Sequence, residues 1–240
     1  MQITLNGLTL DQEAIELIQA YEPPEGYYLG FSGGKDSVVI YDLTKRAGVK
    51  FDAHYNISPI DPPEIREFIK ANYPDITWDN HAKGFWKHFL TEGPPLRTAR
   101  WCCELIKEAG GVGRGKLLGM RRAESTKRKG YKCFQYHSKQ HDTSWLLPIV
   151  NWTNSDVWQY LTENDLKVCS LYAEGYSRLG CILCPFENPV TTRLNLTRFP
   201  KITQNWRAAF DRYFDKRIER GTPLRWATKD DFWNWWIRRK

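Results

Sequence analysis

Apolar side chains at Leu10, Ala14, Ile15, Leu17 and Ile18 recur at i, i+3, i+4 and predict an amphipathic helix over 10–21, which Pro23-Pro24 stops. Tyr27 to Phe31 predicts a buried strand. The polar run Ser32-Gly33-Gly34-Lys35-Asp36-Ser37 follows it directly, and Val38 to Leu43 predicts the helix that this loop opens. Phe51 to Ile57 predicts the next strand, Pro62 to Tyr73 a helix with Pro in its first turn, and Ile76 to Trp78 a third strand. Lys116 to Met120 predicts a further strand, Leu146 to Val150 is a short apolar run, and Thr153 to Leu161 predicts a helix with Thr153 as N-cap. Strands alternating with helices in this way imply βαβ units, hence an α/β fold: a parallel sheet with helices on both faces, and ligands at the carboxyl ends of its strands. After about Phe199 the pattern turns aromatic and basic, with helices over 206–218 and 229–237. The expected organisation is an α/β domain over 1–199 and a helical extension over 200–240 packed on it. No repeat or low-complexity segment interrupts it.

Composition adds three constraints. The chain has 240 residues, 41% hydrophobic and 26% charged, which suits a globular protein and excludes disorder or a coiled coil for most of its length. Eleven Trp among 14% aromatic residues imply an aromatic core or stacking surfaces for a ring-bearing ligand. No apolar run approaches a membrane span and the first residues lack a signal pattern, so a soluble, cytoplasmic protein is expected. In that compartment the six Cys read as metal ligands, catalytic groups or core residues. The net charge of +7 favours polyanions, from nucleotides to tRNA and DNA. Positive charge collects at Lys127-Arg128-Lys129 with Lys132, and at Arg238-Arg239-Lys240.

The loop after the first strand has the chemistry of a phosphate cradle. Gly33 and Gly34 permit positive φ and let backbone N–H groups approach an anion. The helix beginning near Asp36 adds unpaired N–H groups and the positive end of its dipole. Ser32 and Ser37 supply hydroxyls, and Lys35 a charge for the oxygen that becomes anionic when a phosphoanhydride breaks. Gly110 to Lys116 also fits G-x-x-x-x-G-K, but Leu117 replaces the metal-binding Ser/Thr and the glycines precede a strand, so this stretch reads as a plain loop.

Cys102-Cys103 and Cys181-Ile182-Leu183-Cys184 supply four thiols in two close pairs. A Cys-x-x-Cys turn can aim both sulfurs at a Zn²⁺ or an iron–sulfur cluster. Adjacent cysteines on a helix diverge by about 100°, which suits separated irons better than a single zinc. A [4Fe–4S] cluster is therefore the leading expectation, with zinc or free redox thiols as alternatives. Cys133 and Cys169 have no partner at ligand spacing and read as buried hydrophobes. Of the five His, only His137 and His141 pair at i, i+4, and their polar context reads as loop surface.

The Ser32–Ser37 hexapeptide resembles the PP-loop of the N-type ATP pyrophosphatases and of the sulfonucleotide (PAPS and APS) reductases. Gly119-Met120-Arg121-Arg122-Ala123-Glu124-Ser125 resembles that superfamily's G-x-R-R-x-x-S motif, Pro148 to Trp158 its P-L-x-x-W-T-x-x-D-V-W stretch, and Leu171 to Gly180 its L-Y-x-x-G-Y-x-S-I-G run. The cysteine arrangement is similar to the [4Fe–4S] site of bacterial APS reductases. The resemblance implies an adenine nucleotide alpha hydrolase-like, Rossmann-like sheet. It also implies phosphate binding by Ser32, Gly33, Gly34, Lys35, Asp36, Ser37, Arg121 and Arg122, with Lys35, Asp36 and Arg121 catalytic, and metal binding by Cys102, Cys103, Cys181 and Cys184. Two features depart from the reductases. Their nucleophilic cysteine belongs to a late Glu-Cys-Gly motif, whereas the last cysteine here is Cys184; and Ser58-Pro59-Ile60-Asp61-Pro62-Pro63-Glu64-Ile65 is more similar to phage, archaeal and DNA-phosphorothioation members.

The leading expectation is an enzyme that cleaves ATP, with Mg²⁺, to adenylate an acceptor for sulfur transfer. The partners expected are an adenine nucleotide and either a nucleic acid or a sulfur-donor protein. One alternative is a PAPS or APS reductase borrowing its nucleophile from Cys133, Cys169 or another protein. A non-catalytic subunit of a modification complex that binds nucleotide or cluster is the other.

Overall fold

The computed structural model of the chain describes residues 7–81, 84–137, 142–222 and 224–238. It divides into two compact units. One comprises Met1–Asn56, Pro63–Asp79 and Ala109–Leu179, the other Ile57–Pro62, Asn80–Glu108 and Gly180–Lys240. This division differs from a single boundary near residue 199. The helix α8 (Pro200–Glu219) packs against α4 (Phe85–Glu92) and α7 (Pro189–Arg198), so earlier segments group with the tail. That pairing joins residues more than a hundred positions apart, which local periodicity does not report.

The first unit is built on a six-stranded sheet in the order β3-β2-β1-β4-β6-β5, comprising β1 (Tyr27–Gly30), β2 (Phe51–Asn56), β3 (Thr77–Asp79), β4 (Gly115–Leu117), β5 (Phe134–Tyr136) and β6 (Ser144–Leu146). All neighbours are parallel except β5, which runs antiparallel to β6 at the edge. Leu29 pairs with Ala53 on one side and Leu117 on the other, and Leu117 with Leu146, so one buried apolar row crosses four strands. Helix α2 (Lys35–Ala47) leaves β1 through the glycine loop and packs between α1 (Leu10–Ala20) and α6 (Asn154–Glu163). In α6 the expected Thr153 cap closes as a full box, with Thr153 Oγ1 accepting from Asp156 N–H at 3.2 Å and Asp156 Oδ2 accepting from Thr153 N–H at 2.7 Å. Helix α3 (Pro63–Asn72) sits between β2 and β3 in sequence and buries Ile65, Phe68 and Ile69.

Alternation along the strands places Tyr28, Asp52, His54 and Lys116 on the opposite face from Leu29 and Ala53. His54 stacks on Tyr28 with ring centroids 4.3 Å apart, meets Asp79 through Nδ1 at 2.7 Å and Asp52 through Nε2. Arg114 grips both oxygens of Asp52, at 2.7 and 2.5 Å. Above this cluster lie the glycines of the Walker-like stretch. A Cβ on Gly111 would stand 2.5 Å from the Tyr28 ring and one on Gly110 2.1 Å from its hydroxyl, so these glycines exist to clear Tyr28. The pattern match was therefore a packing requirement, as the reading of a plain loop expected.

In the second unit the tail aromatics are core, not surface. Trp206, Phe210, Phe232 and Trp236 are buried. Trp206 meets Trp86 at 5.2 Å and Trp236, on α9 (Lys229–Arg238), at 5.1 Å. Both buried indoles satisfy their N–H groups on backbone, Trp206 on the Ile182 carbonyl at 3.1 Å and Trp236 on that of Pro95 at 3.0 Å. His137 is likewise buried, against Trp145 at 4.8 Å, and not at the loop surface as expected; His141 lies outside the described residues, as do Arg239 and Lys240. Among the described residues no helix is long and apolar enough to cross a membrane.

The Arg114 fork, with His54 beside it, holds the Asp52 carboxyl below the usual carboxylate range. A depressed folded-state pKa contributes stability above the unfolded value near 4 and loses it as pH falls through the folded value. The Asp52 side chain is 41% exposed. Asp52→Asn is therefore expected to cost about 1 kcal/mol or less at pH 7, with the deficit shrinking below about pH 4, read by urea denaturation across pH.

Candidate functional site

The loop between β1 and α2 depends on two close approaches. Gly33 has φ +72°, and a Cβ there would stand 2.9 Å from Ile65 Cγ2 on α3. Gly119, just past β4, passes so close to α2 that a Cβ would lie 2.8 Å from the Asp36 carbonyl oxygen. The first seats the loop on α3, and the second brings the end of β4 against the first turn of α2. Gly34 is the N-cap of α2 and offers no side-chain acceptor; in the first turn the Ser37 N–H bonds the Gly34 carbonyl at 3.0 Å and the Lys35 N–H is taken by a side chain from elsewhere in the chain.

Side chains then fix the electrostatics. Asp36 receives Lys35 Nζ at 3.1 Å and Arg121 Nε at 2.6 Å, while Arg121 Nη1 also donates to the Trp152 carbonyl at 3.2 Å. The Lys35 and Arg121 side chains are only 5% and 3% exposed. Two cations against one carboxylate, at the positive end of a helix, leave a net attraction for an anion. Ser37 Oγ donates to the Gly34 carbonyl at 2.8 Å and lies 3.3 Å from Ser32 Oγ, so both hydroxyls line the loop. Arg122 is exposed and bonds elsewhere, to the Tyr131 carbonyl at 2.7 Å and Asn151 Oδ1 at 2.7 Å. The Pro148–Thr153 segment thus serves the site indirectly, by presenting the Trp152 carbonyl to Arg121.

Sequence reading missed Tyr172. Its hydroxyl accepts the Lys35 N–H at 2.9 Å from 137 positions away. The resemblance of its motif, Leu171 to Gly180, to the superfamily's run gives Tyr172 no role in the site.

The cysteine pairs lie in the second unit. Cys102 and Cys103 open the short helix α5 (Trp101–Ile106), and the Cys102 thiol donates to Cys103. That bond, aided by Lys107 and Arg100, lowers Cys103 to about 6, whereas Cys102 is raised by the same bond and by burial. Burial raises Cys181 and Cys184 as well. Both act on Cys102, and Lys107 is raised chiefly by Cys181, with Asp61 adding to the effect. The Cys181–Cys184 turn is held rigidly. Leu183 is buried at φ +59°, a conformation costing about 1–3 kcal/mol in a bulky residue. It persists because Ile182 N–H bonds the Ile60 carbonyl at 2.7 Å, Trp206 bonds the Ile182 carbonyl, and Leu183 N–H bonds Glu187 at 2.8 Å.

The four thiols have the donor chemistry of a sulfur-ligated centre and share one electrostatic field. Among the described residues, however, no three His, Cys, Asp or Glu side chains are gathered at metal-binding spacing. Cys133 and Cys169 belong to neither pair. Burial raises both thiols, which disfavours the nucleophilic thiolate form.

Comparison with known proteins agrees with this geometry. The family described as phosphoadenosine phosphosulfate reductase domain matches residues 26–187, and the chain belongs to it. An uncharacterised protein of Methanocaldococcus jannaschii is 28% identical over 229 residues, covering 88% of this chain and 46% of its own length. A probable FAD synthase of Schizosaccharomyces pombe is 25% identical over 194 residues, covering 77% of this chain and 69% of its own. The crystal structure of a PAPS reductase from Candida auris superposes with a TM-score of 0.52 at 17% identity, covering 75% of this chain and 97% of that one, which shows the shared fold. The chain spans only about half the length of its archaeal relatives, 46% and 50%.

Gly33→Ala is expected to lose about 1–2 kcal/mol from the left-handed backbone, more from the Ile65 clash, and nucleotide binding with it. Gly48→Ala is the control, because Gly48 has φ +69° in open space. It should share the backbone cost yet keep binding, as urea denaturation and ATP titration would show.

Proposed function

We propose that this chain is an ATP-using adenylyl-transfer enzyme acting in sulfur transfer. The single observation carrying it is the glycine-capped start of α2, with Lys35 and Arg121 buried beside it. In this reading the cradle of Ser32, Gly33, Gly34, Lys35 and Ser37 holds the β- and γ-phosphates. An acceptor oxygen attacks the α-phosphorus, the bond to the bridging oxygen breaks, and pyrophosphate leaves with its charge on the loop amides and Lys35. Arg121 faces the same anion, and Asp36 holds both cations in place. Mg²⁺ bound with the nucleotide would supply charge neutralisation of the leaving group. The similarity to a probable FAD synthase supports an adenylyl-transfer chemistry. The acceptor is a sulfur-accepting group of a nucleic acid or a small molecule, and the sulfur donor is a protein partner.

Cys102, Cys103, Cys181 and Cys184 would hold a [4Fe–4S] cluster, with zinc as the competing occupant. Such a cluster supplies sulfur binding or electron transfer when bound. Lys107 compensates the negative charge of the sulfur ligands. An anaerobic preparation is expected to carry iron and acid-labile sulfide that Cys181→Ser loses; zinc without sulfide would assign the site to zinc.

A second reading, a thiol-dependent PAPS or APS reductase, is favoured by the family membership itself. The two are separated by substrate. Purified protein is expected to release pyrophosphate from ATP, and Lys35→Ala to abolish the release. Sulfite from PAPS or APS with thioredoxin would install the reductase instead. Nucleotide bound without turnover would leave a non-catalytic subunit, and full activity in Lys35→Ala would remove the phosphate-loop assignment.

A further inference from the structure

Tyr172 closes the short 3-10 turn Ser170–Tyr172. Three contacts fix its ring at the phosphate loop. The hydroxyl accepts the Lys35 N–H at 2.9 Å, the Lys35 ammonium lies over the ring at 5.8 Å, and Trp158 meets it edge to face at 5.2 Å. The same oxygen stands 3.5 Å from where a Cβ on Gly34 would be, ordinary van der Waals contact that places the phenol beside the loop glycine. Burial raises the phenol above its ordinary value and Asp36 adds to the effect, so the phenol keeps its proton. A neutral phenol donates one hydrogen bond while accepting others. Lys35 uses an acceptor site. Among the described residues nothing takes the proton.

We propose that Tyr172 is a phosphate-binding residue of this site. Its hydroxyl accepts the Lys35 amide and gives its own hydrogen bond to a terminal oxygen of a bound di- or triphosphate, lengthening the cradle by one neutral donor. This rests on the loop being a nucleotide site. The opposite role is physically distinct: a hydroxyl that merely occupies the Lys35 amide in place of an anion would compete with phosphate. Removing the oxygen decides between them by sign. A lost donor weakens anion binding, whereas a lost competitor tightens it.

The test is Y172F in the full chain, titrated with inorganic pyrophosphate and with ATP at fixed Mg²⁺. Binding of both is expected to weaken about tenfold, the size of one charge-assisted hydrogen bond, with melting close to wild type. Unchanged or tighter binding would overturn the proposal. A second measurement needs no variant at position 172. In ¹⁵N-lysine-labelled wild type the Lys35 amide, assigned by its loss in Lys35→Arg, should shift only slightly when pyrophosphate binds. A strong downfield move would mean that the amide had passed from the phenol to the anion, which also overturns it. If Lys35→Ala weakens pyrophosphate binding and Y172F does not, this inference alone fails. If wild type binds neither ligand, the nucleotide reading fails with it.

Discussion

The glycine-capped start of α2 is the constraint on which the site depends. A helix begins with N–H groups that no residue of the helix can accept, and a glycine N-cap removes the side chain that would otherwise take one. The protein leaves this terminus at the end of the central strand, with two buried cations beside it, and assigns one amide to a phenol. Every unusual contact nearby serves that placement. Gly33 turns left-handed against α3, Gly119 passes against the Asp36 backbone, and Asp36 ties Lys35 to Arg121.

The second unit shows the same economy with different chemistry. A strained leucine between two cysteines is tolerated because three hydrogen bonds determine its neighbours and itself. One of those bonds comes from Trp206, which is also the centre of the aromatic core. In this unit Trp101, Trp206 and Trp236 combine packing with indole N–H groups that bond backbone carbonyls. The thiols are graded by environment: Cys103 is lowered by its neighbour's hydrogen bond and nearby cations, while the other three are raised.

Much of the first unit was legible because its signals are local. Alternating strands and helices, a glycine loop directly after β1, and Thr153 ahead of α6 are each read within a dozen residues. The elements missed were α4, α5, α7, the edge strand β5 and most of β6, which precedes the apolar run Leu146 to Val150 instead of coinciding with it. All are short or weakly periodic, and α4 and α7 pack against α8, which only the folded chain brings beside them. The unit boundary failed to appear in the sequence for the same reason.

By itself the sequence determined the parallel sheet, the glycine loop that opens α2 and the two cysteine pairs, since backbone propensity, glycine freedom and residue chemistry are properties of short segments. Only the tertiary structure decided what those segments face. It placed Tyr172 on the Lys35 amide, put the Walker-like glycines against Tyr28, sent Arg121 inward and Arg122 outward, and buried His137. Such outcomes depend on distances between residues far apart in the chain, which no local pattern encodes.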